Sequence, residues 1–318
     1  MKKLNSICVV VSLLIGSSAF AQQPGGAPAA NRRGGGMPGL VMPKEIKTID
    51  NSTSIVLDNL STENKQLAEL PKDSGLELVK DIVYHQSKDI NGNPMAMKMD
   101  LIKFTDGKKR PCVVFITGGG FMFAPKTSSF YNRSQIAAGG FVVASIEYHV
   151  IANGIYSDAV KDVKAAIRYL RANADQYGID ADHMAVWGES AGGYLTAMVG
   201  TTNGVKDFEE GENPEQSSNV QAAIDVFGLS DLTKIGADYD EAAEKAHFTV
   251  ESPDGQYIHG KNRGLTSLDK PEVVAKSNPI NYVDKNDPPF LLIHGMVDAL
   301  VSPSQTLLLH TALRKAGV

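Results

Sequence analysis

The sequence predicts an α/β fold built on a mostly parallel central sheet with helices on both faces, and three observations carry that expectation. From about Leu76 onward, short apolar runs alternate with stretches whose apolar residues step at helical spacing. Two of the runs, 112–116 and 141–146, are apolar almost without interruption, as strands covered on both faces must be. A hairpin precedes the alternating part: strands at 76–84 and 97–104 joined across Asn91-Gly92-Asn93-Pro94.

The remaining elements follow in order. Between Ser157 and Gln176, the residues Val160, Val163, Ile167 and Leu170 form one apolar stripe, with Ser157 placed to cap the helix and Gly178 just past its end. A short strand at 184–187 leads into a helix from about Ser190, and 220–227 is the next strand. Residues 229–287 are a long insertion of mixed polarity, after which 290–293 is the last strand. Ser302-Pro303-Ser304-Gln305 reads as a capping box with proline in the first turn, opening a helix buried along Leu309, Ala312, Leu313 and Ala316.

The first 75 residues are of a different kind. Lys2 and Lys3, an apolar run from Ile7 to Ile15, and Ala19-Phe20-Ala21 have the layout of a signal peptide, residues 1–21, cleaved after Ala21. That run is shorter than the roughly 20 residues a bilayer requires, so the expectation is a secreted or periplasmic protein with no stable membrane anchor. Residues 22–43, rich in Gly, Pro and Ala, read as a disordered linker. Residues 44–75 read as an N-terminal extension containing one helix, and 76–318 as one domain.

Charge and cysteine content narrow the partners. The formal charge of −5 becomes −7 once residues 1–21, with two lysines and no acid, are set aside. That balance speaks against nucleic acid, which selects a basic face. Cys112 is the one cysteine left after Cys8, so no internal disulfide forms, and its apolar setting marks it as a small buried hydrophobe. No metal-ligand cluster or phosphate loop is present, so neither metal nor cofactor is expected.

Three motifs at successive strand ends carry chemistry. Gly188-Glu189-Ser190-Ala191-Gly192 sits between a strand and a helix, where a sharp turn exposes a serine hydroxyl and small residues admit the tight backbone. Ser190 is therefore the candidate nucleophile. Gly118-Gly119-Gly120-Phe121 follows the strand at 112–116. The N–H groups of Gly119, Gly120 and Ala191 are the candidate oxyanion hole for a tetrahedral intermediate. Ile293-His294-Gly295-Met296-Val297-Asp298 ends the last strand.

From about Leu76 to Val318 the chain resembles the esterase/lipase branch of the α/β-hydrolases, nearest to feruloyl-esterase-like and hormone-sensitive-lipase-like carboxylesterases. Their oxyanion motif is His-Gly-Gly-Gly, here with Thr117 in place of the histidine, which in the family braces the loop. Their elbow, Gly-x-Ser-Ala-Gly-Gly, is matched by residues 188–193. The resemblance implies that Asp298 is the triad acid, with Asp231 as the fallback; the plainer reading of Asp298 is a cap on the turn before Ser302. It also implies the order Ser, Asp, His. Only His310 follows Asp298, inside a predicted helix, and His294 looks structural, so the expected place of the catalytic histidine, with a final strand, is beyond residue 318.

By the same resemblance, the acidic run 203–219 and the insertion carrying Tyr239, Phe248 and Tyr257 would cover the site; a solvated charge run and packing aromatics are the plainer reading. The expected substrate is a small-molecule or polysaccharide-linked ester, short-chain acyl or feruloyl, hydrolysed through an acyl-enzyme. A serine exopeptidase on the same fold and a non-catalytic pseudoenzyme that binds a ligand are the competing readings.

Overall fold

The computed structural model describes residues 39–50, 52–55 and 69–318. The predicted signal segment and most of the predicted linker lie outside those residues. So does the stretch 56–68 of the N-terminal extension, 44–75, in which one helix was expected.

Seven strands form one sheet: β1 (Leu76–Lys88), β2 (Pro94–Phe104), β3 (Arg110–Ile116), β4 (Val142–Ile146), β5 (Ile179–Glu189), β6 (Ala222–Val226) and β7 (Phe290–Ile293). Their spatial order is β1-β2-β4-β3-β5-β6-β7. The pairs β1–β2 and β2–β4 are antiparallel, and every pair from β4 to β7 is parallel. The parallel strands therefore present their carboxyl ends along one edge, where the loops of such sheets build sites.

Among the described residues eight helices surround the sheet: α1 (Phe130–Ala138), α2 (Tyr156–Ala172), α3 (Ala174–Tyr177), α4 (Ala191–Thr201), α5 (Glu241–Ala246), α6 (Pro253–His259), α7 (Pro271–Lys276) and α8 (Ser304–Ala316). One face of the sheet, through Cys112, Val114, Ile116, Val142 and Ile146, buries Val160, Val163 and Ile167 of α2 and Leu195 and Met198 of α4. The other face, through Val113, Phe115, Val143 and Trp187, buries Ile136 and Ala137 of α1. Cys112 lies in this interior, and desolvation raises its thiol pKa to about 12, so it packs as a hydrophobe.

Several local expectations are corrected. β5 runs from Ile179, longer than the apolar stretch 184–187, because its first half pairs with β3 only at Arg110–Ile179 before a register shift. Residue 155, not Ser157, is the N-cap of α2: the Asp158 carboxylate accepts the Ile155 N–H at 3.0 Å and so does the capping. The box at Ser302 is not formed either. Ser304 N–H and the Ser302 hydroxyl both donate to Asp238, and Gln305 turns away to accept the N–H groups of Ser230 and Asp231. At α8 the local capping signal lost to Asp238, a partner more than sixty residues away whose position the chain order conceals.

The acidic run is also placed. It connects the end of α4 to the start of β6, at the amino edge of the parallel strands and so at the opposite edge from the loops that follow β3, β5 and β7. The expectation that it covers the site fails on this connectivity. It is clamped instead onto α2: Glu209 pairs with Lys164 at 2.8 Å and Arg168 at 2.7 Å, while the Arg171 guanidinium donates to the carbonyls of Ser217 and Asn219. A cavity of about 310 Å³ lies in this segment, but the Arg168 nitrogens on its wall are already taken by Glu209 and by the carbonyls of Glu210 and Glu212.

Lys164 is fully buried, whereas the Glu209 side chain keeps 30% exposure. Glu209→Ala leaves two buried cations short of a partner and is expected to cost about 3 kcal/mol in urea denaturation, the low end for such a pair. A loss below about 1 kcal/mol would mean the clamp is a surface feature.

Candidate active site

β5 ends and α4 begins across a single residue. Ser190 has φ 55° and ψ −120°, a left-handed backbone that a serine adopts only where the surroundings enforce it, at a cost of about 1–3 kcal/mol. The enforcement is visible on each side. A methyl group on Gly188 would lie 2.0 Å from the Gly192 carbonyl oxygen, and one on Gly192 would lie 2.0 Å from that of Ile116. The Ser190 N–H donates to the Val226 carbonyl at 2.9 Å, tying the turn to β6.

The glycine loop after β3 lies against this turn. A methyl group on Gly118 would stand 3.2 Å from the Ser190 Cβ. Gly119, Gly120 and Ala191 have N–H groups with no acceptor among the described residues, and Ala191 opens a helix whose dipole favours negative charge. Of the loop glycines it is Gly118 that stands against Ser190, Gly119 lies against Phe123, and Ala191 follows Ser190 directly.

Other residues hold that loop, and the sequence reading missed most of them. The Tyr148 hydroxyl donates to the Thr117 carbonyl at 2.7 Å, so a tyrosine at the end of β4 braces the loop that carries threonine where the resembling families have histidine. Phe121, itself at φ 63°, stacks on Tyr257 at 4.2 Å and meets Tyr194 of α4 edge-on at 5.5 Å. Tyr257 and Tyr239 do reach the site, though from behind: both are buried, and the Tyr239 hydroxyl donates to the Asp298 carbonyl at 3.3 Å. Phe248 packs against the core. No spacing in the sequence pairs Phe121 with Tyr257; Tyr148 beside a predicted strand end was the one available signal.

Asp298 lies in the turn after β7, two strands from β5 along the carboxyl edge, about 10 Å away by strand spacing. Its Oδ1 accepts the N–H groups of Leu300 at 2.8 Å and Val301 at 3.0 Å, so the capping reading holds for that oxygen. Its Oδ2 stands 3.6 Å from His294 Nε2. Asp231 is engaged by Thr233, Asn278 and Lys234.

The seven histidines are all described, and none bonds Ser190. His294 is held at both ring nitrogens: Nε2 donates to the Val301 carbonyl at 3.0 Å and Nδ1 accepts from the Thr306 hydroxyl at 2.6 Å. Burial lowers its pKa against the opposing pull of Asp298, which keeps it neutral and structural. His85, His149, His183 and His247 bond Glu212, Asp162, Asp180 and Asp254, and His259 bonds the Thr266 carbonyl. His310 lies on α8. Among the described residues no group of His, Cys, Asp or Glu could hold a metal ion. Gly192→Ala drives a methyl group into the β3 backbone; a loss of at least about 3 kcal/mol in denaturant stability is expected, and an unchanged midpoint would show that the turn is not tight.

Comparison with known proteins agrees with this geometry. The BD-FAE family profile matches residues 99–313. Esterase LipC of Mycobacterium tuberculosis is 31% identical over 225 residues, 70% of this chain and 53% of that protein; the chain spans about half the length of the curated relatives it matches. Among solved structures, the bifunctional GH43-CE of Bacteroides eggerthii is 32% identical with a TM-score of 0.66, covering 76% of this chain and 31% of that one. A truncated form of carbohydrate esterase from gut microbiota is 29% identical with a TM-score of 0.65, covering 78% and 87%. With its sheet order, its Ser190 turn and this match over most of its length, the chain belongs to the BD-FAE family and has the α/β-hydrolase fold.

Proposed function

We propose that the protein is an exported serine carboxylic ester hydrolase. The observation that carries this is the strained Ser190 turn, set against a glycine loop with unspent N–H donors. In the proposed reaction Ser190 Oγ attacks the ester carbonyl, and its proton passes to a histidine base. The N–H groups of Gly119, Gly120 and Ala191 take up the charge on the carbonyl oxygen. The tetrahedral intermediate collapses to an acyl-enzyme as the base returns the proton to the departing alcohol, and water repeats the sequence to release the acid. Asp298 Oδ2 would orient that histidine and stabilise its protonated form. The order Ser, Asp, His in the resembling families supports a histidine base that follows Asp298 in the chain.

A carbohydrate-linked acetyl, short-chain or feruloyl ester is the substrate class we favour. One of the similar structures is a carbohydrate esterase from gut microbiota, and Phe123, 64% exposed beside Gly119, offers an aromatic face to a sugar or aryl group. The arrangement of Lys2, Lys3, the short apolar run and Ala19-Phe20-Ala21 supports export.

Hydrolysis of nitrophenyl acetate by the protein as its gene encodes it tests the assignment. Ser190→Ala is expected to lower kcat by about a million-fold and Asp298→Asn by about 10⁴-fold. Undiminished turnover by Ser190→Ala would overturn the reading.

A further inference from the structure

We propose that Asp225 is a positioning residue of the Ser190 turn, acting through the first turn of α4. β6 is the strand on which that turn rests, and Asp225 is the register partner of Gly188, the first elbow glycine. It sits among Ala222, Ala223, Ile224 and Val226 with 1% exposure. Its Oδ1 accepts the Gly228 N–H at 2.8 Å, and a methyl group on Gly193, in the first turn of α4, would stand 2.5 Å from that same oxygen. The carboxyl therefore touches the helix start that follows the nucleophile, one residue from the strand carbonyl that holds Ser190 N–H.

Among the described residues Oδ2 has no hydrogen-bond partner, and no cation faces the group. On the β5 side, Glu189 is directed to Ser129 and Asn132. On the β7 side, His294 is turned to Thr306 and Val301. In α4 the one titratable side chain is Tyr194, whose hydroxyl donates to Ser277, and in the following loop Asp231 is paired with Lys234. Burial without compensation pushes the Asp225 carboxyl up to about 8. Below that value the group is a neutral wedge between β6 and α4. Above it, a buried negative charge sits at the helix start whose positive end an oxyanion would use, and the two compete.

The consequence for acylation rests on the esterase reading; the wedge does not, and the test separates them. Amide ¹H–¹⁵N spectra of the 318-residue chain from pH 5 to 10 should show Ala191, Gly193 and Gly228 following a single titration near pH 8, absent in Asp225→Asn. In the protein as its gene encodes it, labelling of Ser190 by a fluorophosphonate should fall by up to about tenfold per pH unit above that titration, and Asp225→Asn should lose the fall. Elbow amides that stay still, or that titrate alike in both proteins, overturn the proposal, as does an identical alkaline fall in labelling. If neither protein labels at all, the esterase reading fails while the amide titration still decides the role of Asp225.

Discussion

Everything around the site depends on one steric constraint: the chain must turn from β5 into α4 within a single residue while three neighbouring backbones crowd that residue. Ile116 of β3 approaches Gly192, Val226 of β6 holds the Ser190 N–H, and Glu189 packs its carbonyl against Gly118. The left-handed serine is the residue left over when those approaches are satisfied. Its strain of about 1–3 kcal/mol is small against the burial on both sheet faces, which is why the fold can sustain it.

The same crowding brings the Ser190 turn against the glycine loop. Since β3 and β5 are neighbours in register, Ile116 against Gly188, the loops that leave them must run side by side. The glycine loop then needs fixing from outside, because a run of glycines orders itself poorly. That task falls to Tyr148 on the Thr117 carbonyl and to the Phe121–Tyr194–Tyr257 cluster, which links the loop to α4 and to the insertion. The insertion thus supports the site from beneath, and the acidic run at the opposite edge belongs to the scaffold.

Sheet class, strand positions and the three strand-end motifs were legible in the sequence because they rest on periodicity and on local backbone demands that only glycine meets. What was not legible depends on distant partners. Helix α1 has apolar residues too few and too scattered to announce it, and it packs through Ile136 and Ala137 against the sheet. The cap of α2 went to Asp158, three residues on in its own first turn, whereas that of α8 went to the distant Asp238. Asp225 was the one overlooked residue with a signal of its own: an acid in the middle of an apolar strand run is a buried charge that asks for a reason. Asp298 shows its capping reading directly, with Oδ1 on the N–H groups of Leu300 and Val301 and Oδ2 3.6 Å from His294 Nε2.

The central claim is that this turn makes Ser190 the protein's single activated hydroxyl. Peptide mapping by mass spectrometry, after a fluorophosphonate treatment of the native protein as its gene encodes it, addresses that claim most directly. The account predicts one adduct per chain, on the peptide containing Ser190, and none when the protein is unfolded in urea before treatment. An adduct on a different serine, or no adduct on the native protein, would contradict it.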